Sequence, residues 1–220
     1  MLLPVGDDRA KGRHRPVFTV ILLLVNCLVF WYELQLGEDG LARLFYHYGA
    51  VPEKIMQAEH LHTLLTSIFL HGGWIHLIGN MLFLWIFADN IEVSIGSFPF
   101  LLFYLAGGAF SVLVHTWVLQ ESSIPCIGAS GAISATLGAY LVMFPAARIK
   151  VFFFVFFFRV SAFLFLGFWI LQQVLDGWAS LGLYTAETSG IGYWAHIGGF
   201  AYGIVRGVSF RARHRKSYIE

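Results

Sequence analysis

The chain has 220 residues, of which 58% are hydrophobic, 17% aromatic and only 12% charged, with a net charge of +1. Soluble domains carry about a quarter charged residues, so this composition, with a mean hydropathy of +0.71, excludes an ordinary soluble domain. The net charge itself says nothing about nucleic acid, and no nucleic-acid partner is expected. Cys27 and Cys126 are too few for a disulfide framework or a thiolate metal site, and both sit in or beside apolar stretches as small hydrophobes.

A membrane span needs on the order of 20 apolar residues, and six such segments can be marked along the chain. They are Val17 to Leu36, Leu64 to Phe87, Phe98 to Leu119, Ile127 to Phe144, Ser161 to Leu175 and Gly192 to Phe210. Residues 1–16 are polar and basic and read as a cytoplasmic tail. The run that follows is too long for the apolar core of a cleavable signal peptide, so it reads as a retained first span. Residues 17–210 then form one six-span domain, and 211–220 form a basic cytoplasmic tail.

Between spans one and two, Gly37 to Thr63 mixes charges with Leu41, Leu44, Phe45, Tyr46 and Tyr48. A flexible linker would be less aromatic, so this connection is expected to be ordered and partly embedded at the interface. Span two carries His71, His76 and Asn80. His76 and Asn80 are four apart and share a helix face. An imidazole and a carboxamide there serve either as interhelical hydrogen-bonding glue, worth about 0.6 kcal/mol, or as an oxyanion clamp, where one donor can contribute about 2.7–4 kcal/mol. His115, alone near the outer end of span three, is explained by interfacial solvation.

Span four opens on Ile127-Gly128-Ala129-Ser130-Gly131-Ala132. Small residues there have an ordinary use in close helix packing, so Ser130 alone would not indicate chemistry. After span four comes Val151-Phe152-Phe153-Phe154-Val155-Phe156-Phe157-Phe158. Extending span five through it would bury Arg159 at roughly 2.5–3.5 kcal/mol, so the run is placed at the cytoplasmic interface with Arg159 snorkelling. Span six contains Ala195-His196-Ile197-Gly198-Gly199, and Ala195, Gly199, Gly203 and Gly207 make a stripe of small residues. Rows on span four (Ser130, Ser134, Gly138 and Gly131, Ala135, Ala139) match it, so the two helices can pack with backbones nearly touching. Ser130 and His196 then meet at similar depth, as a nucleophile with an adjacent general base.

Twelve of the 14 lysines and arginines fall on one side of a six-span model, and only Arg43 and Lys54 fall on the other. By the positive-inside rule both termini are cytoplasmic. The expected fold class is an all-α polytopic membrane protein, multi-pass in the cell (plasma or inner) membrane.

The ordered pieces His71-Gly72-Gly73-Trp74-Ile75-His76-Leu77-Ile78-Gly79-Asn80, Gly128-Ala129-Ser130-Gly131 and Ala195-His196-Ile197-Gly198-Gly199 resemble the rhomboid intramembrane serine proteases. The resemblance implies a Ser-His dyad with no carboxylate, in which Ser130 attacks and His196 acts as base and then acid. It also implies an oxyanion hole from His76, Asn80 and the Ser130 backbone N–H. Implied too are single-span membrane protein substrates, a structural role for His71, Glu92 and Gly96, and no cofactor or metal. Two positions depart from the family pattern. His62-Thr63 stands where many members carry Trp-Arg, and Ser134 stands where some carry an aromatic that stacks on the catalytic histidine. Substrate-contacting residues stay unassigned. The alternative function is a catalytically inactive rhomboid-like protein that binds membrane clients. A metal channel or transporter lacks support, since the chain shows no HExxH, no Cys/His ligand spacing and no inverted repeat.

Overall fold

The computed structural model describes residues 3–7, 15–182 and 191–216. A short strand β1 (Leu3–Asp7) precedes α1 (Val17–Glu33). The first long connection folds into α2 (Glu38–Tyr48), α3 (Pro52–Met56), α4 (Thr63–Thr66) and a 3-10 turn at Ser67–Phe69. Then follow α5 (Trp74–Ile95), α6 (Ser97–Val118) and α7 (Ser130–Met143). Strands β2 (Arg148–Phe153) and β3 (Phe156–Ser161) lead into α8 (Ala162–Gly182), and α9 (Tyr193–Lys216) ends the described chain. Among the described residues α5, α6 and α8 are long and apolar enough to cross a membrane, while α1 and α7 are shorter apolar helices.

The expected second segment divides in two. Leu64 to Leu70 forms α4 and the 3-10 turn, and the long helix starts only at Trp74, because Gly73 sits at φ 159° and breaks the run. The connection before it is ordered as expected. Ala50 pairs with Cys126 through two backbone hydrogen bonds of 3.0 and 2.8 Å, and the Gly128 N–H donates to the Ser67 carbonyl at 2.9 Å. The segment entering α7 is therefore clamped to the first connection. His62, at the departure from the family pattern, bonds the His47 carbonyl at 3.0 Å, so it ties this connection to itself.

The all-α expectation requires a correction. β1, β2 and β3 form a three-stranded antiparallel sheet, with Phe153 opposite Phe156 and Lys150 opposite Arg159. Consecutive Phe and Val residues favour extended backbone, since branched and aromatic side chains fit a pleated surface. Phe154 takes φ 55° at the turn of the hairpin. Ile149 and Val151 enter the core, while Phe154, Val155, Phe156 and Phe157 are exposed at the tip. The first residues are also more than a tail, because Asp7 accepts hydrogen bonds from Asn90 on α5 and Tyr140 on α7. At the other end α9 continues six residues past the expected Phe210, to Lys216. Arg9, Lys11 and Arg13, and most of the connection before α9, lie outside the described residues.

Packing is closest between α7 and α9. A Cβ added at Gly203 would overlap the Ala135 carbonyl, one at Gly199 the Gly131 carbonyl, and one at Gly138 the Phe200 carbonyl. The small rows read from the sequence therefore face each other. The N-terminus of α1 is capped from another helix. Pro16 makes no side-chain cap, and buried Glu92 of α5 accepts from the Phe18 N–H (2.8 Å), the Thr19 N–H (2.7 Å) and the Thr19 hydroxyl (2.7 Å). A carboxylate at a helix N-terminus satisfies free amides and the positive end of the dipole. Glu92→Leu removes both acceptor oxygens, and with them three hydrogen bonds, and should cost about 2–3 kcal/mol. The expected readout is a lower thermal midpoint in detergent, with Glu92→Gln falling between the two.

Candidate active site

Ser130 is the first residue of α7, so its N–H has no intrahelical partner. His196 lies in the first turn of α9. Because the two helices touch backbone to backbone, the side chains meet: Ser130 Oγ lies 2.8 Å from His196 Nε2. His196 is buried, whereas Ser130 keeps partial exposure, so the hydroxyl faces an accessible space while the imidazole is held from behind.

What holds it is Gln173 of α8, whose Oε1 lies 2.6 Å from His196 Nδ1. A carbonyl oxygen only accepts, so Nδ1 carries the proton and Nε2 presents its lone pair to the Ser130 hydroxyl. Trp169, one turn before Gln173, lies against the same imidazole with ring centroids 5.8 Å apart. It also packs on Phe200 at 6.1 Å. With Ser134 in place of an aromatic, His196 needs another orienting group. Ser134 bonds its own helix, donating to the Ser130 carbonyl at 2.7 Å, and the orienting groups come from α8 instead. A signal was present, since a glutamine inside an apolar span is costly and points to function.

His76 and Asn80 project from the first two turns of α5 toward Gly128, two residues before the serine. A Cβ built on Gly128 would lie 2.6 Å from His76 Nε2 and 3.6 Å from Asn80 Nδ2. The two donors therefore converge beside the chain that leads into Ser130. Asn80 is oriented by His71, with Nδ2 to Nε2 at 3.0 Å. His71 Nδ1 faces the Phe69 carbonyl at 3.3 Å, so that nitrogen donates and Nε2 accepts. The His71 backbone N–H donates in turn to buried Glu33 at 3.1 Å. Asn80 thus spends one of its two amide hydrogens on His71 and keeps the other for the space near Gly128. His71 thus lies behind Asn80, between it and the Phe69 carbonyl.

His115 departs from expectation. It is 8% exposed rather than solvated, its Nδ1 has no hydrogen-bond partner, and it lines a cavity of about 520 Å³ with Cys126, Ile127 and Gly192. No group of His, Cys, Asp and Glu among the described residues could hold a metal ion.

With this geometry in view, a family model described as the Rhomboid domain matches residues 58–213. The chain is 35% identical over 128 residues to the rhomboid protease GluP of Bacillus subtilis, covering 58% of this chain and 24% of that protein. It is 28% identical over 149 residues to the mitochondrial rhomboid protein 1 of Saccharomyces cerevisiae, covering 66% and 40%. It is 26% identical over 212 residues to the chloroplastic rhomboid-like protein 11 of Arabidopsis thaliana, covering 90% and 68%. The chain thus spans from about a quarter to two thirds of these relatives' lengths. Together with its apolar helices, the family match makes this an integral membrane protein.

Gly128 holds φ 121°, a region that costs other residues roughly 1–2 kcal/mol. Its missing Cβ also leaves the room that His76 occupies. Gly128→Ala should therefore displace His76 and slow reaction of Ser130 with a fluorophosphonate by about tenfold or more, while helix content by circular dichroism stays unchanged. An unaltered labelling rate would show that the Gly128 contact does not shape the site.

Proposed function

We propose that this chain, which belongs to the rhomboid family, is an intramembrane serine endopeptidase that hydrolyses peptide bonds in or near the membrane spans of single-span protein substrates. The observation that carries this reading is the 2.8 Å approach of Ser130 Oγ to His196 Nε2, with Gln173 Oε1 2.6 Å from Nδ1 on the far side of the ring.

The chemistry follows from that geometry. His196 Nε2 takes the hydroxyl proton as Ser130 Oγ bonds to the scissile carbonyl carbon, and the carbonyl oxygen becomes an oxyanion. The Ser130 N–H, the free amide hydrogen of Asn80 and His76 Nε2–H are the donors for that charge, aided by the electropositive start of α7. As the tetrahedral intermediate collapses, His196 returns the proton to the leaving amine and an acyl-Ser130 ester remains. Water then repeats the sequence with His196 as base, releasing the acid and restoring the hydroxyl.

The proposed topology is six spans with both termini cytoplasmic: α1, α5, α6, α7, α8 and α9. Residues 17–210 form the protease domain, and the cell membrane is the proposed location. On this topology α7 is about 21 Å long at 1.5 Å per residue, short of the roughly 30 Å hydrocarbon thickness. Ser130 would then open into a recess below the outer surface, where polar groups are tolerated because water fills the space. A substrate helix must unwind before cleavage, since its carbonyls are otherwise engaged in i to i−4 hydrogen bonds.

The deciding experiment is cleavage of a single-span model substrate in detergent by the wild type and by Ser130→Ala, with fluorophosphonate labelling in parallel. Wild type should cleave and label, and both Ser130→Ala and His196→Ala should lose roughly 10⁴-fold or more in kcat/KM with the fold intact. Cleavage by Ser130→Ala at the wild-type rate would remove Ser130 as nucleophile. A wild type that neither cleaves nor labels would favour the client-binding alternative. Asn80→Ala should lower kcat by about 10²–10³-fold with a smaller change in KM.

A further inference from the structure

We infer that Gln173 is a positioning residue for the catalytic base, so that the working unit is a Ser130–His196–Gln173 chain in which a neutral side-chain amide stands where other serine hydrolases use a carboxylate. The inference rests on the protease reading above, and it assigns a chemical function to a helix that bears neither nucleophile nor base.

Three observations carry it. First, Gln173 Oε1 lies 2.6 Å from His196 Nδ1 while Nε2 faces Ser130 Oγ at 2.8 Å, so the three groups form one continuous chain. Neutral imidazole has two tautomers, and only the form protonated on Nδ1 can take the serine proton at Nε2. Removing the acceptor on Nδ1 would free the ring to adopt the other form, which donates to Ser130 instead of accepting from it.

Second, the burial of Gln173 is selective. Only 28% of the apolar window of α8 is buried, against 44% for α5 and 39% for α6, so most of this helix faces outward. Its neighbour Gln172 is exposed, yet Gln173 is buried at 8% exposure. A glutamine turned inward from a mostly outward-facing helix requires a partner, and His196 is that partner.

Third, the contact is doubled along one helix face. Trp169 and Gln173 are four apart on α8, and His196 and Phe200 are four apart on α9, so each pair shares a face. Trp169 spans His196 and Phe200 while Gln173 bonds the imidazole edge. The ring is thus held by an aromatic contact and an in-plane acceptor, both from α8, and the hydroxyl of Ser134 plays no part in it. Seating of α8 against α9 is therefore a condition for chemistry as well as for packing.

The test compares Gln173→Met, which keeps the length and loses the acceptor, with Gln173→Glu, which keeps an acceptor oxygen at the same reach. Two readouts are taken on full-length protein in detergent. The first is the ¹⁵N spectrum of the His196 imidazole, assigned by subtracting a His196→Gln sample. Wild type and Gln173→Glu should show protonated Nδ1, and Gln173→Met should show mixed or reversed tautomers. The second is cleavage of the single-span substrate. Gln173→Met should lose roughly 10- to 100-fold in kcat, the rate equivalent of one buried hydrogen bond, with KM within about twofold. Gln173→Glu should recover most of that loss. An unchanged tautomer in Gln173→Met, or wild-type kcat in that variant, overturns the inference. If the wild type neither cleaves nor labels with the fluorophosphonate, the protease reading fails, and the tautomer spectrum still decides whether Gln173 sets the imidazole.

Discussion

The contact between α7 and α9 is the constraint on which the rest of the structure depends. Within a bilayer the hydrophobic effect does not drive helices together, so close approach relies on van der Waals contact between small residues. Gly138, Gly199 and Gly203 each leave room for a backbone carbonyl of the facing helix. That proximity brings two first-turn side chains, Ser130 and His196, within 2.8 Å. A larger residue at any of these glycines would separate the helices by about a methyl group, and a hydrogen bond does not survive such a change in distance. The glycine rows and the Ser130–His196 contact are thus one feature at two levels, a packing rule and the side-chain pair it brings together.

Around that contact, polar groups are arranged in chains, each closed by an acceptor. Glu33 holds the His71 N–H, and His71 Nε2 holds Asn80. Gln173 holds His196, and His196 holds Ser130. Glu92 takes the free amides of α1, and Asp7 takes Asn90 and Tyr140 at the opposite end. A buried polar group without a partner costs about 1–3 kcal/mol, so each chain stabilises its helices and also fixes the direction of its last member. The groups at the ends, the Ser130 hydroxyl and the free hydrogen of Asn80, are the ones a substrate could engage.

Much of this was legible in the sequence, for a physical reason. Long apolar runs leave few alternatives to helices, and the i, i+4 rows of small residues on spans four and six state which faces meet. The approach of Ser130 to His196 follows from those rows and from segment direction, whereas His76 and Asn80 joined them in the sequence only through the resemblance of the ordered motifs. Less legible were features decided by side chains distant in sequence. The Phe-rich run at Val151 to Phe158 has no period that separates a buried helix from a strand, and its β-hairpin is selected by pairing with Leu3–Asp7. Gln173 stood in an apolar segment without a motif, and its partner is 23 residues away. His115 looked interfacial from its position near a helix end, but the approach of Gly192 and Cys126 covers it.

The use of an amide to orient the base follows from the medium. A carboxylate beside His196 would strengthen the imidazolium formed during the reaction, but an isolated ionised group away from water is costly to hold unless further donors surround it. Spans four and six contain no acid, and α8 offers at this point a group that needs no counter-charge. An amide oxygen fixes the tautomer at little solvation cost and gives up part of the electrostatic stabilisation of the charged base. On the proposed mechanism that loss is tolerable, because three donors and a helix terminus would serve the oxyanion and make the developing negative charge, rather than the base, the main target of the site's electrostatics. On the proposed mechanism, the stabilisation therefore comes less from an acid behind the histidine than from the donors around the carbonyl oxygen. Glu33 fits that shift, since it takes the backbone N–H of His71, whose ring faces the Phe69 carbonyl and accepts from Asn80, a donor of the proposed oxyanion hole, and it makes no contact with the proposed base.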